Sequence, residues 1–282
     1  MGSEKITLEQ IMNLDLPPII VYAIPVMLSL VLVEYLISLK KKRDTYEGKE
    51  FWSSVGIGIG NLLSSAVAKG FNFWVFWLCY YISPMPIIPV TWWSFILCFI
   101  LLDLCRYYAH RVGHEQRIWW STHVTHHSSE RYNFAVSFRL SWIQHLKVIF
   151  FTPVALVGFD PFVIFICHQV AVLYQFWIHT EYINKLPAPF EYIFVTPSHH
   201  RVHHGRNPKY LDKNYGSTFI IWDRIFRTFQ VEEEKVDYGI TKPVNSYNPV
   251  KLVFHEFVDI MKDVFSKDRK ESLWKTIFGP PK

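Results

Sequence analysis

Long apolar blocks restrict this chain to one kind of architecture. A segment crossing the hydrocarbon core of a bilayer needs about 20 apolar residues. Its backbone polar groups must be satisfied without water, which leaves helices or a closed barrel. Residues 18–39, 51–82 and 90–108 are such blocks. They are continuous runs without the period-two alternation of barrel strands, so helices are expected. Residues 142–159 and 162–178 form a shorter pair, divided by Gly158, Asp160 and Pro161. That turn chemistry predicts a hairpin that dips into the bilayer and returns, with Pro153 kinking its first arm.

Charge orients the blocks. Lys40, Lys41, Lys42 and Arg43 follow the first one and place its C-terminal end in the cytoplasm. Three prolines in 83–89 make a turn, and Trp92 and Trp93 suit the far interface. On this topology the histidine-rich stretches 109–131 and 198–205 both fall on the cytoplasmic side, as clusters that share one site must. In the second block, Gly56, Gly58, Gly60, Ser64 and Ser65 offer a small-residue face for close helix packing. Residues 249–265 carry apolar side chains at helical spacing and read as an amphipathic helix on the bundle or the membrane surface.

Composition excludes more than it selects. The net charge of +5 is spread around the apolar blocks, which argues against nucleic-acid binding. Cys79, Cys98, Cys105 and Cys167 lie inside apolar blocks without metal or redox spacing, so they read as small hydrophobes. The glycine run 56–60 is not a GxGxxG fingerprint, and no nicotinamide or flavin motif is visible.

Ten of the 13 histidines form a pattern. His110 and His114 are four apart, so they share a helical face. His123, His126 and His127 follow, then His179, then His199, His200, His203 and His204. Adjacent residues diverge by about 100° around a helix. His126 and His127 can therefore serve different ions, and so can His203 and His204. His199 joins the set by position, although the group of His200, His203 and His204 is complete without it. Nine or ten imidazoles around two ions exceed the four ligands of structural zinc and suit two iron ions with an open position for dioxygen. Zinc remains a substitute, because affinity does not separate it from iron. His145, His168 and His255 have no partner at ligand spacing and read as structural. Asp103, Arg106, Glu130, Glu181 and Asn133 are the polar candidates for orienting ligands or taking part in catalysis. Asp212, Asn214 and Tyr215 are weaker candidates.

These strings resemble the fatty acid hydroxylase/sterol desaturase superfamily over about 90–244. The carrying segments are 103–114 with Asp103, Arg106, His110 and His114, then 120–133 from Trp120 through the histidines to Asn133, then 196–205. Details at 126–130, 176–181, 203–207 and 212–216 resemble its ether-lipid branch. The resemblance implies iron-dependent hydroxylation of a lipid entering from the bilayer, most specifically at the ether-bearing carbon of an alkylglycerol or lyso-ether lipid, with release of a fatty aldehyde. It implies an external reductant, tetrahydrobiopterin in animal members, or an electron-donor protein. A sterol or fatty-acyl desaturase or hydroxylase is the neighbouring alternative, and a non-enzymatic zinc-binding membrane protein the remote one. The expected fold is all-α: an integral-membrane helical bundle with a cytoplasmic, histidine-rich di-metal cap. It is expected as one domain over 1–282 with its histidine core at 103–227. The membrane would be the endoplasmic reticulum in a eukaryote or the inner membrane in a bacterium.

Overall fold

The computed structural model describes Thr7, Glu9, Pro17 and residues 19–281, so the first position of the block at 18–39 lies outside the described residues. Three long helices dominate: α1 (Ile19–Lys41), α2 (Gly48–Ile82) and α3 (Trp92–Glu115). All three are long and apolar enough to cross a membrane. Large apolar side chains on α1 and α2 stand exposed, among them Val26, Leu32, Leu63 and Val67, a surface suited to lipid. Among the described residues there is no strand, only two isolated bridges.

The second helix starts where Glu47 accepts hydrogen bonds from the backbone N–H groups of Lys49 and Glu50. Its glycines admit neighbours at close range. A Cβ on Gly60 would lie 2.2 Å from the Trp142 ring, whose Nε1 donates to Ile57 O at 2.9 Å. The small-residue face therefore receives irregular chain and the start of a C-terminal helix rather than another long helix.

After α3 come two short helices, α4 (Arg117–Trp120) and α5 (Val124–His127). The expected hairpin differs in its first arm. Residues 134–138 and Gln144–Phe151 are 3-10 helix, followed by the five-residue α6 (Thr152–Leu156). Pro153 lacks the N–H that an α-helix interior needs, so it can only begin a helix here. The second arm, α7 (Pro161–Trp177), is a regular helix with Asp160 capping Phe162 N at 2.8 Å. Gly158 joins the two at φ +105°, where a Cβ would meet Pro86 O at 2.4 Å.

The apolar core lies where α2, α3, α6 and α7 meet, around Phe76, Tyr80, Cys98, Leu102, Val154 and Ile164. Short helices α8 (Ala188–Ile193), α9 (Pro197–His203) and α10 (Ile221–Ile225) follow, and this part of the chain is tied to α7 by Tyr174 OH on Val195 O at 2.7 Å and to α3 by Trp222 Nε1 on Asp103 at 3.0 Å. The last elements are α11 (Pro249–Phe265) and α12 (Leu273–Phe278). The inward face of α11 holds Leu252, Val253 and Ile260, whereas Phe257 and Met261 stay exposed. Arg117, itself buried, ties α11 down through Glu256 at 2.7 Å and Asp263 at 2.6 Å.

Candidate metal centre

Nine histidines converge in two groups. His110, His114, His123, His127 and His203 form the first, and His126, His179, His200 and His204 the second. Within each group one ring nitrogen per residue lies within 4.8 Å of all the others. The local geometry follows from spacing. His110 and His114 face one way from α3, one helical turn apart. Short α5 sends adjacent His126 and His127 into different groups, and α9 with its end does the same for His203 and His204.

Carbonyl groups fix the tautomers. A carbonyl only accepts, so a ring nitrogen bonded to one must carry the proton. His110 Nδ1 donates to Tyr215 O at 2.8 Å, His203 Nδ1 to Lys213 O at 3.0 Å and His179 Nδ1 to Gln175 O at 2.7 Å. In each neutral ring Nε2 is then a lone pair pointing inward.

In the second group, where a carbonyl aims His179, four Nε2 atoms close a square. His126 to His179 is 3.2 Å, His179 to His200 2.9 Å, His200 to His204 3.2 Å and His204 to His126 3.1 Å. In the first group His123 Nε2 lies 2.8 Å from His110 Nε2 and 3.1 Å from His127 Nε2. His114 Nε2 and His203 Nε2 are buried without a hydrogen-bond partner. Converging lone pairs repel unless a cation lies among them. Metal–nitrogen bonds of about 2.1 Å put adjacent ligands about 3.0 Å apart on an octahedron and about 3.4 Å apart on a tetrahedron. The spacings suit the octahedron, and the donor set fits a pair of ions.

Burial keeps the imidazoles in the ligand state. Desolvation holds His123, His126, His127, His200 and His204 well below the usual histidine value. His179 and His203 are lowered to about 4 by the same cause. Neutral imidazole leaves the positive charge of bound ions uncompensated.

His199 stands apart from both groups. Its Nδ1 accepts from Thr196 N at 3.3 Å, its Nε2 faces Glu191 at 4.0 Å, and its ring meets Phe229. In α9 it lies one residue before His200, which turns it about 100° from that ring and out of both groups. His145 lies against the Ser64 and Ser65 hydroxyls, His168 against Arg106, and His255 against Leu252 O.

The polar candidates occupy an outer layer or lie further out. Asp103 is buried and accepts from Thr218 N, Phe219 N and Trp222 Nε1 at 2.9–3.1 Å, binding α3 to the chain after the last histidines. Arg106 donates to Ser217 Oγ at 2.7 Å and to Gln175 Oε1, beside the carbonyl that orients His179. Glu130 is exposed, because the loop after His127 is held by a different carboxylate. Glu50 of α2 accepts from Ser129 Oγ at 2.8 Å, Glu130 N at 3.0 Å and Arg131 N at 3.2 Å. Asn133 is a loop residue: its amide donates to Thr45 O at 2.6 Å and its oxygen caps Ala135 N. Glu181 lines a mixed-charge surface pocket with Arg43, Arg201, Glu232 and Tyr238.

Further supports carry weak sequence signals. Glu34, buried in α1, accepts from Thr180 next to His179, from Tyr46 OH at 2.5 Å and from Phe134 N at 2.8 Å. Its position inside an apolar block was the only signal it offered. Asp223 accepts from Tyr215 N at 2.8 Å and Gly216 N at 2.7 Å, and so holds the carbonyl that receives His110. Asp212 and Asn214 in that loop have φ of 58° and 55°, a region where Asp and Asn are favoured. Arg139, fully buried, braces the chain around His126 through Thr125 O and Ser128 Oγ.

An all-helical fold with three helices fit to span a membrane, closed at one end by paired polyhistidine groups, defines a class of membrane metal-binding proteins. Residues 95–228 match the family described as fatty acid hydroxylase. Human alkylglycerol monooxygenase is 39% identical over 274 residues, covering 95% of this chain and 60% of the relative. The Xenopus tropicalis alkylglycerol monooxygenase is 38% identical over 272 residues with the same coverage. Ornithine lipid hydroxylase OlsE of Rhizobium tropici is 29% identical over 153 residues, 53% of this chain and 46% of the relative. The chain thus spans about 60% of the length of the alkylglycerol monooxygenases of human and frog. No solved structure matches it.

Proposed function

We propose that this chain is a two-iron monooxygenase that hydroxylates the ether-bearing carbon of an alkylglycerol or lyso-ether lipid. The observation that carries the reading is the convergence of nine neutral imidazoles into two groups at one end of the apolar helices. The names of the relatives support the ether lipid. Two irons held there would supply the redox chemistry with dioxygen that hydroxylation of a C–H bond requires.

The nine histidines would hold the two ions, with five residues in one group and four in the other. Backbone carbonyls of Tyr215, Lys213 and Gln175 aim three of those rings. Asp103, Arg106, Glu34, Glu50 and Asp223 keep the carrying segments in register. The alkyl chain enters between lipid-facing helices, and burial of the rings excludes water. The oxidised carbon gains a hydroxyl group; the other oxygen atom leaves as water with two electrons and two protons from outside. The resulting hemiacetal separates into fatty aldehyde and glycerol, or the headgroup-bearing glycerol derivative from a lyso-ether lipid. A reduced pterin or an electron-donor protein fills the reductant role, and the basic run 40–43 favours a cytoplasmic site.

The test is iron-loaded protein given an alkylglycerol, dioxygen and tetrahydrobiopterin. Fatty aldehyde should form with the native chain and vanish with His126→Ala or His203→Ala. Full activity in either variant would contradict the reading.

A further inference from the structure

Lys147 is an amine without a hydrogen-bond partner at the edge of the metal centre, its pKa pushed down to about 7 by burial and by nearby Arg106. No hydrogen bond or ion pair reaches its amino group among the described residues, and its side chain is half-buried. It lies on the 3-10 segment Gln144–Phe151, where residues three apart share one ridge. On that ridge Phe150 packs on Trp119 with ring centroids 4.8 Å apart. Its neighbour Phe151 faces His168 at 5.5 Å. The segment is thereby clamped with Lys147 against α3. The Nζ atom comes within 3.4 Å of where a Cβ on Gly113 would stand, and the same point lies 3.9 Å from His123 Cβ. Gly113 directly precedes His114, so the amino group is beside the first histidine group.

That position is costly without a ligand. A half-buried amine, charged or neutral, has N–H donors that need acceptors. The proposed chemistry supplies what is missing. The oxidised carbon is bonded directly to the ether oxygen, and the glycerol oxygens follow within a few bonds. The lipid's polar end must therefore lie beside the histidine groups, where the N–H donors of Lys147 can reach it.

We infer that Lys147 is a substrate-binding residue that hydrogen-bonds the oxygen atoms of the lipid's polar end and sets selectivity for lipids carrying them. This rests on the ether-lipid reading for the nature of the ligand, but its test does not need turnover.

The experiment uses zinc-loaded full chain, which cannot run the redox reaction, in detergent micelles. Binding constants are measured for a 1-O-alkylglycerol, its lyso-ether phospholipid and an alkyl methyl ether of equal chain length. The native chain should prefer the first two, and Lys147→Met should weaken their binding roughly tenfold while leaving the methyl ether unchanged. Lys147→Gln, which keeps a donor, should retain part of the preference and guards against a misfolded first variant. Zinc content and Tm should match the native chain. A loss confined to the phospholipid would assign the contact to phosphate, and a loss for both to glycerol. No preference in the native chain, or a preference that survives both substitutions, would overturn the inference. If the native chain binds selectively but releases no aldehyde when iron-loaded, the monooxygenase reading fails while the role of Lys147 stands.

Discussion

The rings of His127 and His204 stack at 4.4 Å with 22° between their planes, and they form the wall between the two histidine groups. His127 belongs to the first group and His204 to the second. Each is also bonded in the chain to a histidine of the opposite group. The two candidate sites are thus built from shared backbone and a shared ring contact.

The sites should therefore fail together. Replacing either His127 or His204 with Ala should lower iron from about two ions per chain to less than one, and activity by at least about a hundredfold. His255→Ala should retain both ions. Iron per chain, measured on folded protein, checks this. Clean loss of a single ion in each variant would show that the groups are independent.

The carboxylate that matters near the second histidine cluster is Glu50, not its sequence neighbour Glu130. Glu50→Ala would leave the Ser129 hydroxyl and two backbone N–H groups without their acceptor. The cost should be about 1–3 kcal/mol, with weaker iron retention. Glu130→Ala should stay within about 0.5 kcal/mol of the native chain. Thermal unfolding of both variants decides between them, and a larger effect at Glu130 would contradict the structure.

Those contrasts show what the sequence could carry. The split of His126 from His127 and of His203 from His204 follows from helical angle, so local spacing suffices to place them. His199 shares the same short helix, and its neighbour Glu191 comes from a separate element, so adjacency alone could not exclude it. The orienting groups were harder to read for a different reason. Three of them are backbone carbonyls, at Gln175, Lys213 and Tyr215, which any residue supplies. Glu34 and Glu50 act across long stretches of chain, and no local pattern links them to Thr180 or Ser129. The apolar count at 142–159 also concealed a local rule: Pro153 starts a short helix, and the preceding turns tighten to 3-10 geometry. The tighter turns stack Phe150 directly over Lys147, three residues apart.

Acid should remove the metal and weaken the fold over one pH range. His179 and His203 are lowered to about 4 by burial, from a usual value of about 6.5. As pH falls below about 6.5 the unfolded chain binds protons that the folded metal-free chain refuses. The stabilisation is therefore complete above about pH 6.5 and is lost as pH falls through about 4. Protons also compete with iron for the ring nitrogens. The Tm of metal-free protein and the iron retained by loaded protein should both fall across this interval. A Tm that stays level from about pH 7 to 4 would mean that these rings are not held neutral.

The most direct test of the central claim is the amount of fatty aldehyde released for each dioxygen consumed by iron-loaded protein supplied with an alkylglycerol and a reductant. The account predicts one aldehyde for each dioxygen, with both signals absent from metal-free protein. Aldehyde release without oxygen uptake, or oxygen uptake with no lipid product, would contradict it.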